Sequence, residues 1–237
     1  MSQKKPIDID KRIIFALDVA SPDEAKKWVE RLEDQVKFYK VGLELFLAGW
    51  FPMIEWIIKR DLEVMVDLKF FDVPETVGRA VRQIRDCGAT FATVHGNDGI
   101  LKAAAQNKGN TQVLAVTVLT SLDQGDIRDL GFDCSVEQLV LSRAKRALAV
   151  GCDGVVSSGL EAPKLRAHLG DSFLVVVPGV RPVENRQDDQ KRVVDVGTAF
   201  ENGADHIVVG RPIRQAEDPV AVVKKMKTDI AKVLPTP

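Results

Sequence analysis

Residues 64–96 read VMVDLKFFDVPETVGRAVRQIRDCGATFATVHG, and this stretch sets the fold class. VMVDLKF (64–70) and FATVHG (91–96) are short, apolar and rich in β-branched or aromatic residues, which is strand character. Between them PETVGRAVRQIRDCG is amphipathic at helical spacing and closes on Gly88, a usual C-terminal stop. Strands apolar on both faces and joined by a helix belong to a parallel sheet covered by helices.

The same unit recurs outward in both directions. IIFALDV (13–19), FYKVGLE (38–44), VLAVTVLT (113–120), GVVSSG (154–159), FLVVVPGV (173–180) and HIVVGR (206–211) bring the strand candidates to eight. Helix-like segments such as PDEAKKWVERLED and SVEQLVLSRAKRALAVG lie between them, the first opening after Ser21 with Pro22 at the first helical position. Eight units in 237 residues is about 30 residues each, which fits an α/β fold of the (β/α)8 TIM-barrel type. A doubly wound open sheet is the alternative. No GxGxxG or P-loop string follows any strand, which weighs against its nucleotide-binding form. With no linker and no shift in composition, one barrel domain is expected over residues 1–237, with its active site at the C-terminal ends of the strands.

Composition narrows the function. Hydrophobic residues make 45% of the chain and charged residues 28%, so disorder and low complexity are excluded. Thirty-three Lys and Arg against 34 Asp and Glu leave a net charge of −1. That balance gives no electrostatic reason to expect nucleic acid or an anionic membrane as partner. Cys87, Cys134 and Cys152 match no zinc or redox spacing and read as reduced thiols. The polar N-terminus lacks a signal-peptide core, and no apolar run reaches the ~18 residues of a membrane span. A soluble, cytoplasmic protein is expected.

The anomaly is charge where a core should be. Asp18 ends strand 1, Lys40 lies inside strand 2, Asp67 and Lys69 lie on strand 3, and Asp72 follows. Buried charge is costly unless paired. Residues i and i+2 of a regular strand share a face, so Asp67 and Lys69 point together. Aimed inward at the barrel mouth, Lys40 and Lys69 would interleave with Asp67, Asp72 and Asp18, each lysine beside a carboxylate that keeps it ammonium. A single such pair would read as a structural salt bridge. Five charges at the ends of three successive strands read as a site.

A second cluster lies near the end of the chain. VVPGVRP ends strand 7 and IVVGRPI ends strand 8, the two positions whose loops commonly bind phosphate in barrels. Gly179 and Gly210 allow close approach of the main chain, and Arg181 and Arg211 can pair with phosphate oxygens.

DLKFFDVPETV (67–77) resembles the signature of the orotidine 5′-phosphate decarboxylase family, Asp-x-Lys-x-x-Asp followed by Ile/Val-Pro-x-Thr. FALDV, FYKVGLELF, VTVLTS, PGVRP with a downstream DDQ, and VVGRPI resemble that family's other blocks in its order, from about residue 12 to residue 233 in bacterial style. The Asp-x-Lys-x-x-Asp piece is shared with a wider barrel group. Pro74, Thr76, Gln190 and Arg211 make the match specific.

The resemblance implies cofactor-independent, metal-free decarboxylation of orotidine 5′-monophosphate to UMP and CO2. The family's Lys-Asp-Lys-Asp array falls on Lys40, Asp67, Lys69 and Asp72. Lys69 is the implied proton donor to C6, Asp67 lies beside the substrate carboxylate, and Lys40 holds Asp67 and a ribose hydroxyl. Asp72 and Thr76 are implied to reach the neighbouring subunit's site, hence a homodimer. Asp18 is implied to bind ribose, and Thr120, with Ser121 as the alternative, to meet the pyrimidine edge. Gln190 bridges base and phosphate, while Arg181, Gly210 and Arg211 serve the phosphate.

Residues 181–190 are expected to form a lid. HGNDGI (95–100) departs from the family, which more often has small residues after the histidine; His95 reads as structural, and His168 and His206 as surface or satisfied core residues. Two rivals are weighed. A metal-dependent enzyme of the same barrel group would need a further acidic ligand, for which Glu44 is the obvious candidate. A non-catalytic phosphometabolite-binding barrel would have little use for two buried lysines alternating with carboxylates.

Overall fold

The computed structural model describes residues 5–181 and 192–234. Eight strands close into a barrel in chain order: β1 (Ile13–Ala16), β2 (Phe38–Gly42), β3 (Glu63–Phe70), β4 (Phe91–Val94), β5 (Gln112–Val116), β6 (Gly154–Val156), β7 (Leu174–Pro178) and β8 (His206–Val209). Every neighbouring pair is parallel, and β8 returns to β1 with Ile14 opposite Val208. The open-sheet alternative is thereby excluded.

The helix starts follow local chemistry. In helix Pro22–Leu32, the Ser21 hydroxyl accepts the Glu24 N–H, and Pro22 occupies a position where a missing N–H costs nothing. Helix Val136–Ala149 starts with a reciprocal capping box between Ser135 and Gln138. Helix Pro74–Asp86 ends at Cys87, and Gly88 follows at φ 85, the left-handed turn that glycine takes without strain.

Several strands end short of their candidates, at Ala16, Val116, Val156 and Val209, and one boundary falls inside a long helix. Strand candidate 38–44 stops at Gly42, and helix Leu43–Ile58 starts on the next residue. Leu45, Phe46, Met53, Ile54 and Ile57 bury one face of that helix, and this packing outweighs the apparent strand run. The helix is kinked at Trp50, whose φ is 47, with Pro52 just beyond.

Two apolar layers result. One lies between strands and helices; the other fills the barrel with Ile14, Ala16, Phe38, Met65, Phe91, Leu114, Val116, Val156, Leu174, Val176 and Val208. The period of two continues this inner face upward. One step beyond Phe38, Met65 and Phe91 stand Lys40, Asp67 and Thr93. The plug gives way to polar side chains at the C-terminal mouth.

His206 is a satisfied core residue at the opposite end of the lumen. Its Nδ1 lies 2.9 Å from the Lys11 carbonyl, and its ring meets Phe38 and Phe91 edge to face. Burial pushes its pKa down to about 4; the Lys11 carbonyl and Asp205 oppose the shift, while Arg12 and Lys5 add to it. The unfolded chain binds this proton near pH 6.5 and the folded one does not, so its stabilisation is complete above 6.5 and lost as pH falls towards 4. Between pH 7 and 5 the loss from this group is about 2 kcal/mol. A folded His206→Gln variant compared with the parent by urea unfolding at both pH values should lack that share of the slope; identical slopes would refute the assignment.

The three thiols are free, Cys152 buried and the other two half-buried, and burial raises the Cys152 thiol to about 12. Among the described residues no helix is long and apolar enough to cross a membrane.

Candidate active site

A cavity of about 540 Å³ opens at the C-terminal mouth of the barrel. Its wall on the side of β1 to β3 carries Asp18, Lys40, Asp67 and Lys69. The Lys40 ammonium lies 2.8 Å from Asp18 Oδ1 and 3.7 Å from Asp67 Oδ2. The Lys69 ammonium lies 2.9 Å from Asp67 Oδ1. Charges therefore alternate along one row: Asp18, Lys40, Asp67, Lys69. Glycine at position 42 leaves room for this row, because a Cβ there would stand 2.9 Å from Lys40 Nζ.

Asp67 is the centre of the row. Burial alone would push its carboxyl up. The Lys40 and Lys69 ammonium groups and hydrogen bonds from Lys69 and Thr93 outweigh that and hold it below the usual carboxylate range. It is therefore an anion at neutral pH.

Lys69 does not reach this position through a regular strand. Its φ is 50, in the left-handed region that a non-glycine residue enters only at a cost. The β3–β4 register shifts between Val66 and Phe70, so an irregularity re-aims the chain at this point. Thr93 closes the distorted turn: its hydroxyl accepts the Lys69 N–H at 2.9 Å and donates to Asp67 Oδ1 at 2.9 Å. The simple i, i+2 rule names the right neighbours, but the bulge is what puts the ammonium there. Thr93, fully buried, was invisible to charge patterning.

The far wall follows β5 to β8. Thr120 and Ser121 line it beyond β5, and Gly179, Arg181, Gly210 and Arg211 line it beyond β7 and β8. Gly179 sits at φ 72, where a side chain would be strained. Arg214, not singled out from the sequence, also lines this end, and its Nη1 is buried without a hydrogen-bond partner among the described residues. Gln190 and nearly all of the expected 181–190 lid lie outside the described residues.

Asp72 and Thr76 are not in the cavity of their own chain. The exposed Asp72 carboxylate accepts its neighbour Val73's N–H at 2.6 Å. Glu44 is likewise exposed and away from the row, and among the described residues no cluster of His, Cys, Asp or Glu could hold a metal ion. His95 is structural, its Nδ1 3.0 Å from the Val116 carbonyl. Asn97 caps helix Asp98–Asn107, and Asp98 pairs with Arg146, so both departures from the family pattern have structural work.

The chain is similar to known proteins over nearly its whole length. Residues 11–226 match the family described as "Orotidine 5'-phosphate decarboxylase / HUMPS family". The orotidine 5'-phosphate decarboxylase of Methylococcus capsulatus is 63% identical over 97% of this chain and 96% of its own length. That of Xanthomonas euvesicatoria is 47% identical, again over 97% and 96%. The crystal structure of the Lactobacillus acidophilus orotidine 5'-phosphate decarboxylase superposes with a TM-score of 0.83 at 35% identity, covering 93% of this chain and 99% of that one.

Proposed function

This chain belongs to the orotidine 5′-phosphate decarboxylase family, and we propose that the Asp18–Lys40–Asp67–Lys69 row is the machinery of its reaction. The enzyme converts orotidine 5′-monophosphate to UMP and CO2, the last step of de novo pyrimidine biosynthesis. One observation carries the assignment of residues: two ammonium groups meet on a single, largely buried, ionised carboxylate at the mouth of the barrel.

The chemistry asks for such a row. Breaking the C6–carboxylate bond leaves the electron pair on C6, where the ring delocalises it poorly. An ammonium already in place stabilises that charge without reorganising. Lys69 Nζ then gives its proton to C6, yielding UMP and a neutral amine that regains a proton from water. Asp67, fixed by Lys40 and Thr93, stands beside the substrate carboxylate and repels it in the ground state more than in the transition state, where that charge is leaving. The reading needs no cofactor and no metal.

The remaining groups bind and orient. Asp18 and Lys40 take the ribose hydroxyls, Thr120 or Ser121 the pyrimidine edge, and Arg181, Gly210 and Arg211 the phosphate, with Gln190 spanning base and phosphate. Binding energy from the phosphate, remote from C6, can be used to hold the reacting end in place.

Asp72 and Thr76 complete the neighbouring site in a homodimer. Leu43 and Leu47, one helical turn apart, and Trp50 at the kink are more than half exposed, and Phe71 and Val73, also more than half exposed, bracket Asp72. Exposed apolar groups gathered beside a site mark a surface that another chain covers. A cytoplasmic location goes with this reading.

The direct test follows ultraviolet absorbance while purified protein acts on orotidine 5′-monophosphate, with and without EDTA. Equal turnover in both is the expected result. No turnover would sink the assignment, and loss with EDTA alone would favour the metal-dependent rival.

A further inference from the structure

We propose that Arg192 is the positioning residue for the base-contacting segment 118–121, holding it through two backbone carbonyls against the buried carboxylate of Glu161. The inference rests on the activity reading above, since it takes Thr120 and Ser121 as the contacts to the pyrimidine.

Beyond Thr117, whose N–H bonds the Val156 carbonyl, the segment between β5 and helix Gln124–Asp129 pairs with no strand among the described residues. Its carbonyls are held instead by side chains. Arg143 donates to the Thr117 carbonyl at 2.6 Å, while Arg192 Nη2 donates to those of Val118 at 3.1 Å and Leu119 at 2.9 Å. Two guanidinium groups thus take three successive carbonyls, and the next residue is Thr120, buried against the cavity. The planar fork of arginine suits this grip; a lysine head is one point and cannot reach the same set together.

The other edge of Arg192 is anchored. Its Nη1 lies 2.5 Å from Glu161 Oε1, with side chains only 12% and 9% exposed. Ser157, which lines the cavity after β6, donates to Glu161 Oε2 at 3.3 Å. Ser158 donates to the Arg192 carbonyl at 3.2 Å, so its backbone is tied down as well. A buried ion pair is a poor source of stability compared with apolar packing, but a good way to specify one arrangement. Here it specifies where the segment bearing Thr120 and Ser121 stands relative to the strands that carry the lysines.

The test compares UMP with ribose 5-phosphate, which lacks the base. Arg192→Lys keeps a cation beside Glu161. It should weaken UMP binding roughly tenfold or more while leaving ribose 5-phosphate within about twofold, because only base contacts move. KM for orotidine 5′-monophosphate should rise similarly with kcat nearly unchanged, as for loss of uniform binding. In a Thr120→Val/Ser121→Ala background Arg192→Lys should add little further loss of UMP affinity, since the contacts it positions are gone.

Should Arg192→Lys not fold, the Arg192→Met/Glu161→Gln pair removes both charges, and the same ligand comparison applies. Equal weakening of both ligands, unchanged UMP affinity, or full additivity with the Thr120→Val/Ser121→Ala change would overturn the proposal. A parent enzyme that binds UMP but releases no CO2 would instead refute the activity reading, and the ligand comparison would still decide the role of Arg192.

Discussion

Lys69→Ala is expected to lower kcat for orotidine 5′-monophosphate by at least about 10⁴-fold, because it removes both the preorganised charge and the proton source. Each role alone is worth a factor of hundreds or more, and both act on the same atom, so the losses overlap rather than multiply. Binding of UMP should survive, since Asp18, Thr120, Arg181 and Arg211 do not depend on Lys69. The fold should survive too. Asp67 keeps Lys40 at 3.7 Å and the Thr93 hydroxyl at 2.9 Å, so it does not become an isolated buried charge. Single-turnover absorbance, UMP titration and circular dichroism check the three statements together. A variant retaining more than about a hundredth of the parent's kcat would remove Lys69 from the proton-transfer role.

The second large effect is a gain. Lys69→Ala and Asp72→Asn chains should each be nearly inactive alone, yet an exchanged mixture should recover about a quarter of the parent's activity. In an equal mixture half of the dimers are heterodimers, and each has one site with Lys69 from one chain and Asp72 from the other. The prediction depends on where the structure leaves Asp72: exposed, outside its own cavity and flanked by Phe71 and Val73, each more than half exposed. If both groups served the same chain's cavity, no mixture could restore a complete site. Mixing with subunit exchange verified by mass, and no recovered turnover, would refute the shared site.

Much of this molecule is written in local pattern. The eight strands were legible because burial on both faces forces continuous apolar runs, and the helix starts because Ser21 and Pro22 carry their own instructions. Asp67 and Lys69 stood out because ionisable residues rarely occupy strand interiors. Other parts left no local trace. The strand candidate 38–44 hid the immediate start of a helix, decided by packing of Leu45 and Phe46. Thr93, Arg192, Glu161 and Arg214 are ordinary residues in sequence; each gains its role from a partner or cavity wall contributed by distant parts of the chain.

Periodicity and residue chemistry settled the barrel and singled out the charged residues we propose as its site, since each of these follows from interactions a few positions apart. Three-dimensional closure settled the rest. It set Lys69 at φ 50 against Thr93, left Asp72 outside the row of its own chain, and brought Arg192 onto carbonyls more than 70 residues away in sequence. Such contacts exist only once the chain has closed on itself, so no window of sequence can hold both partners.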